Sequence, residues 1–105
     1  MFVGEVWNVK LYPVRGSEQD RIRPCLIVSP NSMNEALKTV IVVPLTTAKK
    51  EWPTRVNLLI EKTESQACIE HIRSISKERF LKKICEISDL DMATLRKHIL
   101  AVFAE

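Results

Sequence analysis

The sequence predicts a small, strongly bent antiparallel β barrel with one C-terminal helix. Three observations carry this. Short β-rich runs alternate with turn residues along most of the chain, and helical spacing of apolar residues is confined to the last stretch. At 105 residues the chain is a single domain, residues 1–105, long enough to bury a core without metal or disulfide staples.

The first strand runs from Phe2 to Tyr12. Val3, Trp7, Val9 and Leu11 alternate with Gly4, Asn8 and Lys10, the pattern of a half-buried strand, and Glu5 interrupts the apolar side near an exposed start. A charged loop follows, then a strand from Arg23 to Ser29 apolar enough for burial on both faces. Pro30-Asn31-Ser32 is turn chemistry, and Met33 to Lys38 tolerates a helix but is short for one. Thr39 to Thr47 is the most β-branched run, with Pro44 expected at an edge or a bulge because it cannot donate to a ladder. A charged tip, Ala48 to Glu51, leads through Trp52-Pro53-Thr54 into a strand over Arg55 to Ile60. Lys62 to Gln66 reads as a polar turn. Ala67 to Ser76 reads as extended, with period two setting Glu70 on one face and His71 with Arg73 on the other. Lys77-Glu78-Arg79 suits one helical turn, and Phe80 to Ile87 a last short strand. Ser88 is a good N-cap, and Asp89 and Asp91 favour the helix dipole. Met92, Leu95, Ile99 and Val102 then recur at helical spacing, a stripe expected to pack on the barrel.

Bulk properties exclude several classes. The formal charge of +3 permits a nucleic-acid partner without requiring one. Cys25, Cys68 and Cys85 are an odd set with no CxxC pair and apolar neighbours, so reduced, mostly buried thiols in a cytoplasmic protein are expected. His71 and His98 lack ligand spacing, so no metal is expected. No apolar run approaches the ~18 residues of a membrane helix, and no signal peptide opens the chain. Two glycines cannot build a phosphate-cradling loop, and no cofactor is expected.

The most chemically dense stretch is Gly16-Ser17-Glu18-Gln19-Asp20-Arg21-Ile22-Arg23-Pro24, which runs straight into the apolar Cys25-Leu26-Ile27-Val28. A charged loop on the end of a buried strand can hold reactive groups on a rigid edge, or can be an ordinary solvated loop with an ion pair. Pro24 restricts Arg23 to extended conformations and so fixes where it stands.

The order of features then becomes specific. Gly4-Glu5-Val6-Trp7, Gly16 to Gln19, Arg23-Pro24 with Leu26-Ile27-Val28, Asn34, Val40 to Thr46, Trp52-Pro53-Thr54 and Glu70 to Ile75 follow one another at matching spacing, with Lys77 to Leu81 and an amphipathic helix behind them. In this the chain resembles the MazF/PemK family of bacterial toxin endoribonucleases over nearly its whole length. The resemblance implies an SH3-like barrel of the PemK/MazF/CcdB type, a homodimer, and metal-independent cleavage of single-stranded RNA by attack of the ribose 2′-OH. It also implies an antitoxin whose C-terminal tail occupies the RNA groove. The alternatives are a CcdB-like gyrase poison without enzymatic activity, or a barrel that has lost catalysis and only binds protein.

Carried over residue by residue, the resemblance makes Arg23 the cation that stabilises the reacting phosphate, where a planar fork suits bidentate binding. Thr46 supplies a hydroxyl to a phosphate oxygen or caps a strand end, and Thr47 is its neighbour in that role. Glu70 is a candidate base or a surface carboxylate. His71 stands where the family usually has glutamine; it either joins proton transfer or bonds a base edge. Ser17 is a histidine in one branch, so that histidine's chemistry does not transfer. Glu18 and Gln19 order the loop or touch RNA. Trp52 stacks a base or lies in a core or dimer contact. Arg73 supports the groove, binds phosphate or forms an ion pair. Lys49, Lys50 and Arg55 follow the RNA backbone or are solvated charge.

Overall fold

A computed structural model describes residues 1–11 and 21–104. The sequence expectations for Ser17, Glu18 and Gln19 lie outside the described residues. Seven strands and two α-helices follow in the order β1 (Glu5–Leu11), β2 (Arg21–Ile27), α1 (Asn31–Ala36), β3 (Thr39–Thr46), β4 (Arg55–Ile60), β5 (Thr63–Cys68), β6 (Arg73–Ser76), β7 (Phe80–Glu86) and α2 (Asp89–Val102). Short 3-10 turns occupy Ile69–His71 and Lys77–Arg79. The strands form one antiparallel sheet in the order β4-β5-β3-β2-β1-β7, with β6 also paired to β3. None of the described helices is long and apolar enough to cross a membrane.

Strand alternation divides the interior into two clusters. Leu26, Val43, Leu45, Val56, Leu58, Ala67 and Ile69 gather on one side with Val6, and α2 closes them with Met92 and Leu95. Cys25, Ile27, Val40, Val42 and Ile75 point the other way and meet Val9 and Phe80. Trp7 packs edge-on against Phe80 at 5.9 Å between ring centres. The α2 stripe thus buries as its spacing predicts, and Ser88 Oγ accepts from the Asp91 amide at 3.1 Å to cap it.

Four local readings change. Glu5 is buried, because its carboxylate accepts from the Phe2 amide at 3.0 Å and the Trp7 indole at 2.9 Å, with Lys83 Nζ at 3.2 Å. Burial alone would raise this carboxyl, yet those donors hold it below the ordinary glutamate value. Pro44 lies in the central strand rather than at an edge. On one side β3 pairs with β2 throughout Val42–Pro44; on the other, β6 pairs as far as Val42 and β5 takes over at Leu45. Val28 N donates to Ile41 O, so odd-numbered backbone groups of β3 face β2, and the Pro44 nitrogen faces the gap between β6 and β5, where no donor is needed.

The predicted turn over Lys62 to Gln66 is also mostly strand. Ile60 pairs with Thr63, leaving Glu61 and Lys62 as a two-residue hairpin turn with φ of 48° and 69°. Finally, Glu70 and His71 do not alternate across a strand. Ile72 N closes a 3-10 turn onto Ile69 O at 3.0 Å, which brings His71 Nε2 to 3.9 Å from Glu70 Oε2 on the same side.

Candidate active site

The site begins where β2 and β3 lie side by side. The β2–β3 ladder ends at the pair Cys25 and Pro44; Arg23 lies two residues before Cys25 on β2 and Thr46 two residues after Pro44 on β3. Both residues line a cavity of about 310 Å³ with Pro24, Leu45, Thr47, Ile60 and Ser65. Arg23 is half-buried and lies inside β2, which begins two residues earlier than its sequence suggests, paired with Val9 of β1 and kept extended by Pro24. Thr46 Oγ1 accepts the Ala48 amide at 3.1 Å, which orients the hydroxyl and leaves its hydrogen to donate outward.

The row continues across the sheet. Thr46 pairs with Gln66 of β5, and Gln66 pairs with Asn57 of β4. Directly opposite residues share a face, so Thr46, Gln66 and Asn57 form one rung over three strands. Gln66 is buried and fully bonded. Its Oε1 accepts from Lys50 N at 2.9 Å and Arg55 Nη1 at 3.2 Å; its Nε2 donates to Lys50 O at 3.1 Å and Asn57 Oδ1 at 2.9 Å. One side chain thereby clasps both backbone groups of Lys50 and fixes the loop between β3 and β4.

That loop carries Trp52, which is 49% exposed. The Arg55 guanidinium lies 4.8 Å from the centre of its ring and Lys50 Nζ lies 5.6 Å from it. Arg55 is in turn held by Glu70: Nε donates to Glu70 Oε2 at 2.6 Å, while Thr54 Oγ1 donates to Oε1 at 2.8 Å. Burial alone would raise the Glu70 carboxyl, but these two donors outweigh it and hold it below the ordinary glutamate value. Glu70 is therefore ionised at neutral pH. A second cavity, of about 560 Å³, opens among Lys50, Trp52, Arg55, Asn57, Glu64 and Gln66.

Burial raises the thiols of both Cys25 and Cys68, Cys25 to about 12, against the opposing pull of nearby arginines. Arg73 pairs with Val42 and so stands on β6, on the side of β3 away from β2. His71 is largely exposed at the Glu70 end. The structure thus brings Arg23, Thr46 and Thr47 into one cavity and gathers Trp52, Glu70 and His71 around Arg55. Among the described residues no three His, Cys, Asp or Glu side chains come together to hold a metal ion. Another cavity, of about 610 Å³ beside Met1, Asn34 and Lys77, shares no lining residue with the other two.

Sequence reasoning missed Gln66, Asn57 and Thr54. Gln66 was hidden in a run read as a turn, and the only available signal was a long amide beside a charged tip, which does not reveal a clasp on Lys50.

Comparison with known proteins agrees with this architecture. The family profile described as PemK-like, MazF-like toxin of type II toxin–antitoxin system matches residues 3–103. Endoribonuclease MazF9 of Mycobacterium tuberculosis is 36% identical over 102 residues, covering 88% of this chain and 86% of that protein. Endoribonuclease MazF of Staphylococcus saprophyticus is 36% identical over 104 residues, covering 91% and 85%. Among solved structures, a MazE–MazF complex from Deinococcus radiodurans superposes with a TM-score of 0.83 at 20% identity, over 99% of this chain and 96% of that one. A mycobacterial endoribonuclease in complex with its cognate antitoxin gives 0.81 at 21% identity, over 99% and 95%. The sheet, its C-terminal helix and the matched length agree: the chain belongs to the PemK-like, MazF-like toxins of type II toxin–antitoxin systems.

Proposed function

We propose that this protein is a metal-independent, sequence-specific endoribonuclease toxin that cleaves single-stranded RNA, mRNA included, and so inhibits translation and growth. The observation that carries the reading is the pairing of Arg23 and Thr46 on one cavity, two donors suited to a phosphate. The ribose 2′-oxygen attacks the adjacent phosphorus as its proton leaves, the P–O5′ bond breaks, the departing 5′-oxygen takes a proton from solvent, and the products are a 2′,3′-cyclic phosphate and a 5′-OH. Negative charge grows on the phosphorane oxygens, where the Arg23 fork and the Thr46 hydroxyl donate. Arginine stays charged, so its role is electrostatic rather than proton transfer. Glu70, already ionised, is in the form that accepts the 2′-OH proton. Thr47, Trp52, His71 and Arg73 bind the RNA on this reading, and Ser17, Glu18 and Gln19, which lie outside the described residues, are assigned to RNA contact by the family resemblance alone.

The family reading extends to partners. Solved relatives include toxin–antitoxin complexes, which supports a cognate antitoxin whose C-terminal tail competes for the RNA groove. Leu90 and Leu100 of α2 and Phe103 just after it are exposed apolar residues, which supports burial between two copies in a homodimer. The place of action is the cytoplasm, where the substrate is.

The test is cleavage of a long unstructured RNA pool in EDTA by wild type and Arg23→Ala, with mapping of new 5′-OH ends. Discrete wild-type cuts at a short shared motif, reduced by roughly 100-fold or more in a folded Arg23→Ala protein, are expected. RNA left whole while supercoiling by gyrase is inhibited would overturn the reading.

A further inference from the structure

We propose that Asn57, oriented by Gln66 beside Trp52, reads one unpaired nucleobase of the RNA and prefers guanine or uracil, which carry a keto oxygen at purine C6 or pyrimidine C4, over adenine and cytosine, which carry an amino group at that position. The inference rests on the ribonuclease reading and names part of its specificity.

The argument starts from groups whose roles are fixed. The Lys50 amide and the Arg55 guanidinium can only donate, so the Gln66 atom facing both is its oxygen. The opposite Gln66 atom is then the amide nitrogen, and the Lys50 carbonyl it meets can only accept. The same nitrogen donates to Asn57, so the Asn57 atom facing it must be the oxygen. Each amide orientation follows from the one before it. Asn57 must therefore present its Nδ2 hydrogens away from Gln66. Asn57 is exposed, and no hydrogen bond engages Nδ2 among the described residues.

Asn57 lines the 560 Å³ cavity together with Trp52. An aromatic wall and a fixed hydrogen-bond donor are what recognition of a splayed-out base requires. The rung places Asn57 two strand spacings from Thr46, roughly 10 Å, which suits a base next to the scissile step rather than at it. An amide donor meets the O6 of guanine or the O4 of uracil as an acceptor; adenine and cytosine offer an amino donor there instead, leaving two donors opposed.

The experiment maps 5′-OH ends on a randomised RNA pool for wild type and Asn57→Asp. The carboxylate replaces the donor by an acceptor while still accepting from Gln66. One position of the wild-type motif is expected to favour guanine or uracil, and Asn57→Asp should move that position towards adenine or cytosine by roughly tenfold. The added negative charge can lower cleavage of every RNA equally, but it cannot by itself exchange one base for another. An unchanged motif in an active Asn57→Asp protein overturns the inference and leaves the ribonuclease reading standing. If the wild type leaves the pool whole, both fall. If Asn57→Asp is inactive, competition by uncleavable 2′-deoxy oligonucleotides differing at that one base decides: inverted base preference supports the assignment, and unchanged preference refutes it.

Discussion

Glu70 Oε2 accepts the Arg55 Nε–H at 2.6 Å, and this bond joins the turn after β5 to the start of β4. It keeps Arg55 extended beneath Trp52 and keeps Glu70 charged. It is also one of two sites at which acid should loosen the fold.

Stability should fall in acid through Glu70 and Glu5. Both carboxyls are held below the ordinary 4.5 in the folded protein. The unfolded chain therefore takes up protons first as pH drops. The contribution is fully present above about 4.5 and is lost as pH falls through the lower folded values. Urea midpoints should be nearly level from about pH 7 to 5 and decline below that. A Glu5→Gln/Glu70→Gln double variant should show a shallower decline; a slope equal to that of wild type would contradict the assignment.

Leu95 should be the helix residue whose loss is felt most. It is fully buried between α2 and the sheet, whereas Leu100 is 67% exposed. Leu95→Ala is expected to cost about 2–5 kcal/mol in chemical denaturation, while Leu100→Ala stays within about 0.5 kcal/mol for the isolated protomer. Equal effects would mean that α2 docks through a different face.

Cys25 should resist alkylation in the native protein. It is fully buried, and burial pushes its thiol up to about 12, so little thiolate forms near pH 8 despite two nearby arginines. Iodoacetamide at about pH 8 should modify Cys25 only after denaturant is added. Rapid native labelling of Cys25, located by peptide mapping, would mean that the strand opens readily at Arg23.

Legibility in the sequence followed the physics of each element. The α2 helix could be read from Ser88 and a four-residue apolar stripe because capping and periodicity are local. Arg23 and Thr46 could be named because a proline and a strand end mark them, although their meeting depends on the β2–β3 register. Strand β5 could not be read: Thr63-Glu64-Ser65-Gln66 has no apolar alternation, and Glu61-Lys62 makes a left-handed turn without glycine or asparagine. Its burial is sustained by side-chain bonds such as those of Gln66, whose partners come from 9 to 16 residues away. For the same reason Glu5 looked misplaced in sequence and is satisfied in the fold.

The handover at Pro44 has a consequence for how this scaffold can diversify. The β4–β5 hairpin meets β3 through only two residue pairs, Leu45 with Ala67 and Thr46 with Gln66. Arg23 and Thr46 lie on one side of that short seam, Asn57 and Gln66 on the other. Substitutions at the hairpin's exposed positions, such as Asn57, can accumulate while Val56, Leu58 and Ala67 stay in the core shared with Leu26, Val43 and Leu45 that backs the β2–β3 register. On the proposed reading, a lineage can change which message it cuts while inheriting the cutting chemistry intact.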